Sequence, residues 1–126
     1  MQAPLSGTTS IYLQIANLVE DNILKDILLE EEQAPSTNEL ARLYAINPAT
    51  AAKGLNLLAD EGILYKKRGL GMFVAPGAKT MVQAKRKEAF KSTYIQPLVA
   101  EAKNLGLTQQ ELTHMLAEAL QEPSET

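Results

Sequence analysis

Apolar positions recur along this chain with two different periods, and the change from one to the other lays out the fold. Ile11, Ile15, Leu18, Val19 and Ile23 stand three or four residues apart, the spacing that gives an α-helix one stripe to bury. Ser10 stands where a cap for that helix belongs. The run Asp26-Ile27-Leu28-Leu29-Glu30-Glu31-Glu32 contains no glycine, so a turn is expected within it at a point that the pattern does not mark. Pro35 bars a helix from running through, and Ser36 with Glu39 three residues on is a capping-box pattern that starts a new one. Leu40 and Leu43, with Ala41 and Tyr44, give this short helix its expected apolar face. Asn47-Pro48 restarts the chain, Asn as a favoured cap and Pro at the first helical position, where its missing N–H costs nothing. In the helix that follows, Ala51, Leu55 and Leu58 fall on the buried face with Ala52 and Ala59 beside them, while Ala49, Thr50, Lys53 and Asn56 point elsewhere. Gly62 is placed to end it in the left-handed conformation.

Ile63-Leu64-Tyr65 and Met72-Phe73-Val74 are then short β-prone runs around a turn rich in glycine and basic side chains. Pro76-Gly77 breaks the chain, and helical spacing returns from Thr80 to Asn104 through Met81, Val82, Phe90, Tyr94, Ile95, Leu98, Val99 and Ala102, with Pro97 expected to kink or divide the helix. Leu105-Gly106-Leu107 stops it. Thr108 and Glu111 form a second capping box, ahead of a last helix bearing Leu112, Met115, Leu116, Ala119 and Leu120. The fold class expected is mainly α (α+β): a winged helix-turn-helix domain over residues 8–76, followed by a helical αα-hairpin over 79–122.

Two helices cannot bury both apolar faces against each other without leaving much hydrophobic surface in water, so the hairpin calls for a partner. A second copy of the chain is the simplest one, met through Phe90, Tyr94, Leu98, Leu112, Met115 and Leu116. That makes residues 79–122 a dimerisation domain.

A short helix, a turn of three or four residues and a second helix with a small polar outward face is the geometry that lays the second helix in a DNA major groove. The hairpin after it places Lys66, Lys67 and Arg68 beside a phosphate backbone or a minor groove. Each piece alone has a blander reading, since helix pairs occur in all-α cores and basic hairpin tips are often only solvated. The order and spacing of all the pieces together favour the DNA reading. The net charge of −3 looks wrong for such a partner, but residues 51–91 hold nine basic side chains against three acidic, while residues 1–50 hold two against seven. Positive charge is thus expected on the second helix, the wing and the segment just after it.

A chain of 126 residues has room for a modest core but not for a large enclosed active site. There is no cysteine, which excludes disulfides and thiolate metal sites. His114 is the one histidine and has no carboxylate set around it in sequence to complete a metal site. Glu30-Glu31-Glu32 reads as a solvated loop, and Gly69-Leu70-Gly71 lacks the third glycine and the strand-to-helix setting of a nucleotide loop. No enzyme, cofactor or metal is expected. No apolar run is long enough to cross a membrane and Met1 to Ser10 shows no signal-peptide pattern, so the expected location is the cytoplasm.

Ile11-Tyr12-Leu13-Gln14-Ile15, Pro35-Ser36, Asn47-Pro48-Ala49-Thr50, Leu58-Ala59-Asp60-Glu61-Gly62-Ile63 and Arg68-Gly69-Leu70-Gly71-Met72-Phe73-Val74 together resemble the DNA-binding domain of GntR-family bacterial transcription regulators. The Asn-Pro-x-Thr element, the wing, and the short tail with Leu-Gly-Leu-Thr-x-x-Glu-Leu look like the YtrA-type branch. The resemblance implies a sequence-specific regulator, a repressor in most such cases, that binds double-stranded DNA at a near-palindromic operator as a homodimer through its tail helices. It also implies the DNA contacts: Ser36, Thr37 and Asn38 at the start of the second helix, Asn47, Ala49, Thr50 and Lys53 around the third, and Lys67, Arg68 and Gly69 in the wing. Thr50, Ala49 and Lys53 are assigned to base readout, Ser36, Thr37 and Asn47 to phosphate positioning, and Arg68 with Gly69 to the minor groove.

Three departures from the family pattern stand out: Asn38 where an arginine is usual, Asp26 and Glu31 where glycines are usual, and Ala34 where leucine is usual. Only about fifty residues follow the wing, too few for an enclosed effector pocket within one chain, which leaves a site between subunits open. The alternative function is a winged-helix protein-interaction module without DNA binding, which would have no need of a basic wing or of outward Thr50 and Lys53.

Overall fold

The computed structural model describes residues 10–123; the expected domain start at residue 8 lies outside them. The chain divides into two compact units, the first running to Lys85 and the second from Arg86. In order, the elements are α1 (Ile11–Leu24), α2 (Thr37–Tyr44), α3 (Pro48–Asp60), β1 (Leu64–Lys67), β2 (Gly71–Val74), α4 (Ala78–Phe90), α5 (Gln96–Asn104) and α6 (Gln109–Gln121).

The first unit is a three-helix core with a β-hairpin wing. α1 and α2 pack on α3, and the side chains they share are Ile15, Val19, Ile23, Leu40, Ala51, Leu55 and Leu58, closed off by Ile63, Leu64 and Val74 from the hairpin. Ala78 and Val82, from the first half of α4, are fully buried in this same core. Pro76-Gly77 is therefore a turn within the first unit, and the division falls after Lys85.

The helix boundaries follow the local chemistry. Ser36 Oγ accepts from the Glu39 N–H at 3.0 Å and Glu39 Oε1 accepts from the Ser36 N–H at 2.9 Å, a complete capping box. Asn47 Oδ1 accepts from the Ala49 N–H at 2.8 Å. α3 ends with Gly62 left-handed at φ 80° and the Ile63 N–H bonded back to the Leu58 carbonyl, a Schellman closure. Ser10 is the N-cap of α1, but its side chain makes no capping hydrogen bond, so its backbone carbonyl alone receives the first helical N–H groups. On α2 the buried arc centres on Leu40 and Ala41, and Leu43, expected on the apolar face, falls past its edge and is 52% exposed.

The glycine-free loop keeps the backbone that glycine would give. α1 closes through the same Schellman pattern as α3, with Ile27 N–H on the Asn22 carbonyl and Asp26 at φ 60° in the left-handed position. Glu31 takes a second left-handed position at φ 69°. Glu30-Glu31-Glu32 is exposed and lies in a loop, as expected, and it also forms a frame for the hairpin. Glu30 Oε1 accepts from the Gly77 N–H, Glu31 Oε1 from the Tyr65 hydroxyl, and on the backbone the Glu31 N–H donates to the Val74 carbonyl while the Glu32 carbonyl accepts from the Val74 N–H. The segment continues as a third line on the wing, since Gln33 bridges Phe73 and the Ala34 N–H donates to the Met72 carbonyl.

One interaction in this unit spans the sequence. Glu20 on α1 is 1% exposed, and its carboxylate accepts from Lys85 Nζ at 2.6 Å; Glu61 at the end of α3 accepts from the same ammonium at 2.7 Å. Partial burial by itself pulls the Lys85 ammonium down, and the hydrogen bonds to Glu20 and Glu61 overcome it, so it titrates above its ordinary 10.5. A cation whose folded-state pKa is raised contributes stability that is complete below its unfolded value and lost as pH rises through the folded one. Denaturant midpoints should therefore fall above pH 10.5. In Lys85→Met the midpoint should already be lower at neutral pH, because Glu20 keeps its buried charge without the ammonium, and this part of the alkaline decline should vanish. Equal alkaline slopes for both proteins would show that the fork contributes nothing.

The second unit is helical. Pro97 does not stop the helical run, but the α-helical pattern is interrupted just before it: α4 runs into a π-helical turn at Lys91–Ile95, and α5 follows with Pro97 in its first turn. The wider turn accommodates a residue that has no N–H to give and whose ring would strike the preceding turn. Gly106, left-handed at φ 70°, ends α5, and Thr108 and Glu111 make the expected capping box for α6. Among the described residues from Arg86 onward only Ala102 is buried.

Candidate nucleic-acid interface

α2, the three residues Ala45-Ile46-Asn47 and α3 make the helix-turn-helix. Ala45 carries the turn at φ 52° without a glycine, and the Ile46 N–H returns to the Ala41 carbonyl. Ala49 and Lys53 are exposed on the first two turns of α3, and Thr50 is half-buried between them. Ser36, Asn38 and Asn47 are exposed at the two helix starts, with Thr37 half-buried. The Asn47 cap uses the side-chain oxygen and leaves the NH₂ group out. A side chain can thus fix the helix start and still offer a donor to a phosphate there. The bond from the Ser36 N–H, with its hydroxyl's help, holds the Glu39 carboxyl below its ordinary range, so the box stays formed at neutral pH.

The wing pairs Leu64 with Val74, Tyr65 with Phe73, Lys66 with Met72 and Lys67 with Gly71. At its tip Arg68 and Gly69 are exposed, Gly69 at φ 79°. The Leu70 carbonyl is held by Gln33 Nε2 at 2.7 Å. Gly71, at φ 113°, passes so close that a Cβ there would lie 2.9 Å from the Gln33 amide nitrogen. Gln33, which the sequence pattern did not single out, thus fixes the hairpin turn from outside it. A lone glutamine before Ala-Pro carries no local signal of that role.

The lysines fall into two kinds. Lys53 Nζ lies 4.1 Å from the centre of the Tyr12 ring, and Lys67 Nζ 4.2 Å from the Phe73 ring. Lys79 and Lys85 are instead bound to carboxylates, Lys79 to Asp26 at 2.9 Å and Lys85 to Glu20 and Glu61. Positive charge expected on the segment after the wing is therefore largely cancelled at these two positions, whereas Lys53 of α3 and Lys67 of the wing rest on neutral rings and keep theirs.

In the second unit Phe90, Tyr94, Met115 and Leu116 are exposed, and Leu98 and Leu112 half-buried. The Phe90 and Tyr94 rings lie tilted against each other at the π-helical turn, their centres 5.5 Å apart. Leu105 and Leu120, absent from the expected set, are exposed as well. Among the described residues no cluster of three histidines, cysteines or carboxylates could hold a metal, and no helix is long and apolar enough to cross a membrane. His114 lies 3.2 Å from Glu118, one turn along an exposed helix face.

Residues 11–74 match the family model described as bacterial regulatory proteins of the gntR family. Over 112 residues the chain is 30% identical to the HTH-type transcriptional repressor YtrA of Bacillus subtilis, an alignment covering 89% of this chain and 85% of that protein. Among solved structures, a putative transcriptional regulator of the GntR family from Bacteroides thetaiotaomicron is 35% identical with a TM-score of 0.73, over 88% of this chain and 96% of that one. The DNA-binding domain of AraR, solved in complex with operator ORX1, is 30% identical with a TM-score of 0.52, over 60% of this chain and 92% of that one.

Proposed function

Since the chain belongs to the GntR family of bacterial regulatory proteins, in its YtrA-type branch, we propose that it is a cytoplasmic repressor that binds a near-palindromic operator as a homodimer. It is a DNA-binding transcriptional regulator and not an enzyme. The observation that carries the reading is the surface formed by Ala49, Thr50 and Lys53 on α3 beside a basic hairpin that is clamped in place. Thr50, Ala49 and Lys53 meet base edges in the major groove, and Ser36, Thr37, Asn38 and Asn47 meet phosphates from the two helix starts. Asn38 is too short to reach where an arginine would, so readout rests more heavily on α3 and the wing. The dimer is supported by the second unit, which has almost no interior of its own.

A mobility-shift assay with the DNA upstream of the gene, followed by binding-site selection, tests the core of this. Lys53→Ala and Thr50→Ala should each relax preference at one position per half-site, at about 1–3 kcal/mol per lost contact. An unchanged selected site would mean that α3 does not lie in the groove this way.

The wing has a separate signature. Arg68 at the exposed tip supplies charge to a minor groove or phosphate, and Gly69 lets the backbone approach. Arg68→Ala should weaken binding to operator and random DNA alike and lower the slope of log affinity against log salt by about 1 per half-site. Parallel salt plots for the two proteins would remove the wing from the interface.

A further inference from the structure

We propose that Tyr12 is a positioning residue for operator readout, its ring holding the Lys53 ammonium beside the first turns of α3. The inference rests on the reading of Lys53 as a base contact and adds the residue that sets its geometry. Tyr12 is the second residue of α1, ahead of the buried stretch that begins at Ile15, and its ring lies under Lys53 with 4.1 Å from Nζ to the ring centre. The two line an open groove of about 470 Å³ between α1 and α3, with Ala49, Asn56 and Asp60 along its wall. The groove thus begins at Ala49, in the turn assigned to base edges.

The choice of partner matters chemically. Lys79 and Lys85 are tied to carboxylates, and a lysine so tied must give up its ion pair before it can meet a phosphate or a base edge. A ring attracts the cation through its quadrupole and leaves the full charge in place. The stem is held, so less of the long side chain's freedom remains to be lost when DNA arrives, and the ammonium still has donors to turn toward it. Tyr12 is held in turn from its backbone, because α1 and α3 touch where Gly54 passes the Tyr12 carbonyl.

The test is a double-mutant cycle of Tyr12→Leu and Lys53→Met, reading the ratio of operator to random-DNA affinity in the full-length protein, with Tyr12→Phe as the conservative variant. Tyr12→Leu should lower that ratio about two- to five-fold, the effect of one exposed cation–ring contact. Tyr12→Phe should keep it near the wild-type value, and Tyr12→Leu should have no further effect once Lys53 is Met. If Lys53→Met lowers the ratio but Tyr12→Leu does not, or does so equally in the Lys53→Met background, the pairing is wrong while the reading of Lys53 stands. If Lys53→Met itself leaves the ratio unchanged, both fall. Should Tyr12→Leu melt well below wild type, the loss of ratio in Tyr12→Phe decides, because that variant keeps the ring and its packing: a drop to the Tyr12→Leu level overturns the proposal.

Discussion

Gly54→Ala should lower the melting temperature by roughly 10 °C, although replacing glycine by alanine inside a helix normally stabilises by about 1 kcal/mol. The reversal comes from what lies against the glycine. A Cβ at residue 54 would sit 2.7 Å from the Tyr12 carbonyl oxygen, 2.9 Å from Ile15 Cγ2 and 3.0 Å from Ile15 Cβ. The first of these is backbone in the middle of an α-helical turn and cannot swing aside as a long side chain would. Ile15 is itself fully buried among the other core residues and has nowhere to go. The only relief is for α1 to move off α3. Overpacking of this kind costs about 1–3 kcal/mol, and a contact fixed by backbone belongs at or above the upper end, so the net loss after the helix-propensity gain is about 2 kcal/mol. For a unit of this size that corresponds to roughly 8–16 °C. A thermal melt followed by circular dichroism reads it directly, and a melting temperature at or above wild type would show that the two helices do not approach so closely.

Gly54 also marks where the sequence stopped being legible. An isolated glycine in a helical pattern shows only as a propensity cost; what it makes room for lies on another helix some forty residues earlier. The features that were legible each act on their own neighbours. Ser36 and Glu39, Asn47 and Pro48, Gly62, Gly106, Thr108 and Glu111 all take the backbone roles their chemistry dictates. Where a residue type did not advertise its conformation, the hydrophobic pattern was silent, and at Asp26 and Glu31 only the glycines usual in the family marked the position. Asp26, Glu31 and Ala45 are left-handed without being glycine, held there by returning backbone bonds at the ends of α1 and α2 and by the pairing of the Glu31 segment with the hairpin. The site divides the same way. Ala49, Lys53 and Arg68 could be placed on exposed turns from spacing alone, whereas the ring under Lys53, the Gln33 clamp on Leu70 and the carboxylates around Lys85 join segments remote in sequence. Charge counting failed for that reason too, since it could not tell a lysine resting on a ring from one already neutralised.

The largest effect on DNA binding is expected from the second unit. Phe90→Glu combined with Leu116→Glu should convert the protein to a monomer at micromolar concentration and weaken operator binding by about a hundred-fold or more. Both side chains are largely exposed in the single chain, at 51% and 44%, so neither substitution opens a core, and the helical signal in circular dichroism should be unchanged. What they change is the surface left uncovered by a unit in which Ala102 alone among the described residues is buried. Placing four carboxylates on a shared apolar interface removes the driving force for association and adds repulsion. The loss in operator affinity then follows from linkage: in a dimer the second half-site is met at a high effective concentration, an advantage of 10²–10⁴-fold that disappears when the copies separate. The variant should still bind a single half-site as tightly as wild type does, with a salt slope about half that of the dimer on the full operator. Light scattering gives the mass directly, 13.7 kDa for the chain against roughly twice that for the dimer. A doubly substituted protein that remained dimeric would place the interface elsewhere. A wild type that was monomeric at the same concentration would leave these apolar faces to a different protein, and the winged domain would then have to find its operator one half-site at a time.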